Sequence, residues 1–244
     1  MRPLLAVYLR EMLLLRRRFW RVCLGMSVSP VLYVIAFGYA LGAGSPVGGL
    51  RYLDFLIPGL VAMSSMTQAY GVSSEINIAR FYAHIFEEFQ AAPLTNLSFV
   101  TGEVMAGITR AGLSTVLIVA IGAAFGVTMH CGPLFWVAVV LNAFVFASLA
   151  VWSAMVVKSH ADQALLANFV ITPMAFLGGT FFPLERLPGW SQRILDLVPL
   201  THAARAIRAE ALGGAAAASD YALLVVLGAA AFFIALRSVD AARE

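Results

Sequence analysis

From residue 134 to residue 157 the chain runs without one Asp, Glu, Lys or Arg. That stretch exceeds the about 20 apolar residues that carry an α-helix across a bilayer. In hydrocarbon a backbone must satisfy its own hydrogen bonds, so such a run can only be a helix or part of a closed barrel. Its length and the lack of strand alternation select the helix. Comparable runs recur at 22–41, 53–73, 99–125, 163–182 and 220–236. The expected fold class is therefore all-α, a polytopic membrane protein with six transmembrane helices and a single transmembrane domain over 1–244. Composition agrees. The 244 residues are 61% hydrophobic and 12% charged, with a mean hydropathy of +0.87. A soluble domain is nearer about 45–50% apolar and about 25% charged. A soluble domain, a disordered chain and a nucleic-acid binder fit poorly.

The few charges set the expected topology. Fifteen of the 16 basic residues are Arg, and the only Lys is Lys158. Six Arg fall between Arg2 and Arg21, beside the first apolar run, which marks a cytoplasmic N-terminus. With six spans, ten basic residues fall inside and five outside, Arg110 lies within the membrane, and both termini are cytoplasmic. Residues 1–21 predict an interfacial amphipathic helix. Leu5, Tyr8, Met12, Leu15 and Phe19 share one face; Arg10, Arg17 and Arg21 take the other. Arg16-Arg17-Arg18-Phe19 is similar to a twin-arginine start, but the apolar run that follows is longer than an ordinary signal core and more spans come after it, so the stretch is expected to be retained. Cys23 and Cys131 are expected at opposite membrane faces, too far apart to pair, and neither has metal-ligand spacing.

The third run holds the most informative polar set. Glu103, Gly107, Arg110 and Ser114 recur at helical spacing and share a face. A charge at mid-membrane costs about 2.5–3.5 kcal/mol on insertion scales, so Arg110 demands a bundle interior, a water-filled path or a counter-charge. Glu103 is the nearest acid in sequence, but it lies about 10 Å along the helix, and a partner from another span serves equally. The set reads either as a wall of a translocation route or as a polar helix contact. Gln68, Asn142 and Asn168 are further translocation-path candidates, with helix packing as the competing role.

The segment 74–98 predicts a second amphipathic helix on the cytoplasmic side. Ile78, Phe81, Tyr82, Ile85 and Phe89 share one face; Arg80, His84 and Glu87 lie opposite, beside Asn77 and Glu88. It stops before Ala91-Ala92-Pro93. Mixed charge and aromatic content points to docking of a soluble partner, against an interfacial helix resting on lipid. Enzyme signatures are absent. A phosphate-binding loop needs Gly before its Lys, but Val157 precedes Lys158. Glu87-Glu88 opens an EExxxR pattern that ends on Ala92. The four His form no HExxH pair, and Gly112-Leu113-Ser114 lacks the closing Gly of a nucleophile elbow. The chain is not expected to be an enzyme by itself.

Two blocks carry a family resemblance. Phe55-Leu56-Ile57-Pro58-Gly59-Leu60 opens the second span and leads through Ala69-Tyr70 to Glu87-Glu88-Phe89 and Ala92-Pro93-Leu94. Phe176-Leu177-Gly178-Gly179-Thr180-Phe181-Phe182-Pro183 closes the fifth span, followed by Leu187-Pro188 and Val198-Pro199-Leu200. Together they resemble the ABC-2 type permeases, membrane subunits of bacterial ABC exporters, and are most similar to the nodulation-factor and drug-resistance exporter branch. The resemblance implies a six-span half that pairs with a second permease half, here as a homodimer. It implies two copies of an ABC ATP-binding subunit carrying the ATP and Mg, with no cofactor in this chain. It also implies an inner-membrane location and a re-entrant segment within 183–219. The coupling helix is implied at Arg80 to Phe89, with Arg80, Phe81, His84, Glu87, Glu88 and Phe89 facing the ATPase and Arg10 and Arg17 near it. Many relatives read N-I-E-E-L where this chain reads His84-Ile85-Phe86-Glu87-Glu88-Phe89, so the acids are kept among heavier aromatics.

The expected function is export of an amphipathic or lipid-like substrate. The alternatives are a proton-coupled secondary transporter using Glu103 and Arg110, and a non-transporting membrane assembly subunit.

Overall fold

The computed structural model describes residues 2–41, 51–81 and 95–241. Among them every regular element is helical. The chain begins with α1 (Arg2–Arg17) and α2 (Phe19–Tyr33), which continues into a π-helical stretch, Val34–Leu41. Then come α3 (Tyr52–Tyr70), α4 (Val72–Phe81), α5 (Asn96–Ala124) and α6 (Pro133–Val156). A broken helix follows: α7 (His160–Leu166), a π-helical stretch (Ala167–Ile171) and α8 (Thr172–Leu177). Last are α9 (Gly189–Leu195), α10 (Pro199–Ala211) and α11 (Ala218–Ala241).

Local chemistry places several of these boundaries. The Thr95 hydroxyl accepts from the Ser98 N–H and caps α5. Pro133 starts α6, where a missing N–H costs nothing. Ser159 caps α7 by accepting from the Asp162 N–H. Among the described residues four helices are long and apolar enough to cross a membrane: Phe19–Gly38, Asn96–Ala124, Pro133–Val156 and Ala218–Ala241. The second and fifth predicted spans differ in kind. α3 is nearly all buried inside the bundle, against α5, α6 and α10. It can therefore carry Ser64, Ser65, Thr67 and Gln68 without meeting lipid. The fifth is interrupted by its π-helical stretch.

Within 183–219, where Pro183, Pro188, Pro199 and the Gly213-Gly214 pair mark breaks, α10 fills 13 residues and packs on α3, α6 and α11, burying Leu200, Ala203, Ala204 and Ile207. α1 buries Val7, Glu11 and Leu15 against α5 and leaves Leu5, Leu9 and Leu13 exposed. An acid lies on the buried face because it has partners there. Val7 fits because residue 102 is Gly; a Cβ at Gly102 would stand 2.8 Å from the Val7 side chain. Tyr8 Oη and Thr109 Oγ1, 3.0 Å apart, fasten the same pair of helices.

The two sequence blocks meet in space. Gly59 lies so close under the Thr180 carbonyl that a Cβ there would collide with it. Arg208 of α10 stitches them together. Its Nη2 donates to the Gly179 carbonyl at 2.8 Å and its Nε to the Phe55 carbonyl at 3.2 Å. The guanidinium lies over the Phe55 ring, 3.8 Å from its centre.

Candidate functional site

The notable polar constellation lies where α1, α4 and α5 converge. Gly71 separates α3 from α4, so Glu75 falls in the first turn of a new helix, where the dipole favours a carboxylate. Arg110 of α5 reaches it. One guanidinium nitrogen, Nη2, stands 2.7 Å from each Glu75 carboxylate oxygen. The Arg110 side chain is only 12% exposed, so this ion pair is the counter-charge that its position demands. On α1, Arg10 Nη1 donates to Glu11 Oε1 at 2.7 Å. Burial pushes the Glu11 carboxyl above its ordinary value, against the pull of the Arg10 guanidinium. Glu103 lies between these pairs, 2% exposed, with no hydrogen bond among the described residues. All five side chains line one cavity of about 410 Å³, with Arg18 and apolar walls from Leu14, Leu15, Val22, Ile76, Ile78 and Phe99.

The predicted polar face of α5 divides. Glu103 and Arg110 face this cavity. Gly107 instead packs on Ala147 of α6, and Ser114, 1% exposed, donates to the Ala111 carbonyl of its own helix. Asn142 is buried and joins α6 to α3, donating to the Ala62 carbonyl at 3.0 Å and to Ser65 Oγ at 2.8 Å. Gln68 is half-buried near the end of α3. Asn168 is exposed in the π-helical stretch, between exposed Leu165 and Phe169. Of the six path candidates, Glu103 and Arg110 share this cavity, and the other four lie elsewhere.

Of the docking candidates, Arg17 is exposed at the end of α1. Arg80 turns to the bundle: its Nη1 donates to the Met155 carbonyl at 2.6 Å and the Ala154 carbonyl at 3.2 Å, capping the C-terminus of α6. Phe81 and Ile78 are exposed, while Val72, Ser73, Ile76 and Asn77 form the buried face of α4. His84, Glu87, Glu88 and Phe89 lie outside the described residues.

Sequence reasoning missed two buried networks. Gln163 of α7 donates to Tyr70 Oη at 3.1 Å and to Ser153 Oγ at 3.2 Å, tying α3, α6 and α7. His202 of α10 has Nδ1 2.7 Å from an Asp220 carboxylate oxygen and Nε2 2.8 Å from the Asp196 carbonyl, fixing α10 to α11. Neither follows any spacing rule. The Glu75–Arg110 pair did leave a signal, because an intramembrane Arg requires an acid and Glu75 ends the preceding apolar run.

A helical bundle with apolar outer faces, an amphipathic helix at its entry and a charged cavity beneath that helix is the architecture of a multi-pass membrane protein. The family model for ABC-2 type transporters matches residues 3–211. The chain belongs to that family. It is 31% identical to the inner membrane transport permease YadH of Escherichia coli (strain K12) over 224 residues, covering 89% of this chain and 86% of that protein. It is 32% identical to nodulation protein J of Rhizobium meliloti (strain 1021) over 214 residues, covering 86% and 81%. Identity to nodulation protein J of Sinorhizobium fredii (strain NBRC 101917 / NGR234) is 29% over 237 residues, covering 95% and 90%.

Proposed function

We propose that this chain is the permease half of an ATP-driven exporter that moves an amphipathic or lipid-like substrate across the inner membrane. Two copies of a separate ATP-binding subunit, which carry the ATP and Mg, energise it. In this reading six helices span the membrane. α3 crosses inside the bundle, and the run 160–177 crosses as a broken helix. α9 and α10 return into the membrane from outside, and both termini are cytoplasmic. Two halves pair as a homodimer across exposed faces of the run 160–177. Asn168 supports this, because an amide exposed among Leu165 and Phe169 needs a partner other than hydrocarbon. The substrate leaves along the junction of the halves.

The observation that carries the energy-coupling claim is the double fastening of α4. Its Glu75 is ion-paired to Arg110 of α5, and its Arg80 caps α6. A push on the segment after Phe81 is thus delivered to two spanning helices at once. ATP binding to the partner supplies that push, and it biases the bundle only as far as its affinity differs between the two states.

The test is transport in vesicles holding the chain and the ATP-binding subunit that copurifies with it. Export that stops when the lysine of the partner's phosphate-binding loop is replaced, with a proton gradient intact, is the expected result. Export that persists without ATP while the gradient is maintained supports the proton-coupled alternative through Glu103 and Arg110.

A further inference from the structure

Three Arg and three Glu line the α1–α4–α5 cavity, but they are not all joined in pairs. Arg10 is paired with Glu11 and Arg110 with Glu75. Glu103 remains at the floor, 2% exposed and without a hydrogen bond among the described residues. A buried carboxyl left in this way lacks a donor, and a cation brought beside it favours its ionised form. Arg18 stands exposed at the rim, at the junction where α1 ends and α2 begins. The space between is walled by Leu14, Leu15, Val22, Ile76, Ile78 and Phe99. A buried acid at the floor, a positive rim and apolar sides complement a zwitterion whose ammonium points inward and whose phosphate points outward.

Depth agrees. α5 has 29 residues and so is about 43 Å long, against about 30 Å of hydrocarbon. One or two turns at each end therefore lie among headgroups. Glu103 is seven residues from the start of α5, about 10 Å in, near the boundary between headgroup and hydrocarbon.

We propose that this cavity binds the headgroup of an aminophospholipid of the cytoplasmic leaflet, its primary ammonium on Glu103 and its phosphate at Arg18, with acyl chains leaving past Leu14 and Val22. A primary ammonium brings three N–H donors to the carboxylate, whereas a choline headgroup brings none. A soluble phosphoethanolamine would leave the apolar walls against water, so the lipid form is the better ligand. The site rests on the cavity and not on the exporter reading, and it holds whatever the cargo is.

The test uses the full-length chain, delipidated in detergent, with bound lipid counted by native mass spectrometry. Phosphatidylethanolamine, phosphatidylcholine and phosphatidylglycerol with the same acyl chains are offered at equal concentration. The wild type is expected to retain phosphatidylethanolamine about tenfold over the other two, the order of gain from one hydrogen bond to a charged group. Glu103→Gln should abolish that preference, and Arg18→Ser should weaken retention of both phosphatidylethanolamine and phosphatidylcholine while leaving their ratio raised. Ala79→Trp, which fills the cavity from α4 and keeps Glu103, should lose the preference too and serves if Glu103→Gln does not fold. Phosphoethanolamine at the same concentration should not displace the lipid. Equal retention of the three lipids by the wild type overturns the proposal. So does a preference that survives Glu103→Gln or Ala79→Trp, or displacement by phosphoethanolamine.

Discussion

At the scale of the residue, the charges inside the bundle matter through their pairing. Arg110 and Glu75 show what that pairing is worth. Removing one member of a fully buried pair costs about 3–5 kcal/mol. Glu75 is 43% exposed, so water tempers the loss. Arg110→Leu is expected to destabilise by about 2 kcal/mol, read as a lower melting temperature in detergent. The exchange Arg110→Glu with Glu75→Arg should recover part of it in a double-mutant cycle. Glu11 adds a pH dependence. Its carboxyl is raised above 4.5 by burial, so the folded state holds the proton more tightly than the unfolded chain. Its contribution is fully present below the unfolded value and is lost as pH rises through the folded one. Lowering the pH toward 4.5 should therefore raise the melting temperature of the wild type relative to Glu11→Gln. Parallel curves for the two proteins would contradict this. Asn142→Ala should cost about 1–2 kcal/mol, because it removes two buried hydrogen bonds that tie α6 to α3, to Ser65 Oγ and to the Ala62 carbonyl.

At the scale of the element, packing depends on a few close approaches. Gly102→Val should force α1 off α5, since Val7 already occupies the space of the missing Cβ. The expected readout is faster hydrogen exchange over residues 2–17 with the exchange of α6 unchanged. This scale also separates what was legible in the sequence from what was not. The spanning helices of high hydropathy could be read directly, since lipid imposes both their length and their composition. α3 was legible as a span but not as the buried centre of the bundle, because hydropathy does not say whether a helix faces lipid or protein. The seating of α10 was not legible, because it depends on long-range bonds, Arg208 to Phe55 and His202 to Asp220, that no local pattern encodes. Nor was the burial of Glu11, which counts as polar in any periodicity yet lies inside beside Arg10. The two motif blocks were visible as blocks, while their contact through Gly59 and Thr180 depends on the fold.

At the scale of the whole molecule, α4 connects the bundle to the segment that follows Phe81. If it transmits force, Arg80→Ala should uncouple the halves of the process. ATP hydrolysis by the partner would continue within about twofold, while export falls by about tenfold, equivalent to about 1.4 kcal/mol of lost coupling. Loss of both together would mean that Arg80 only holds the complex together. The central claim is that the energy source is a different polypeptide, since Lys158 lacks the preceding Gly of a phosphate-binding loop. It is tested most directly by ATP hydrolysis in reconstituted vesicles, with the purified chain alone and with the ATP-binding subunit that copurifies with it. The expected result is no hydrolysis above empty vesicles for the chain alone, and robust hydrolysis for the pair that disappears when the partner's phosphate-loop lysine is replaced. Hydrolysis by the chain alone, unchanged by the partner, would contradict it.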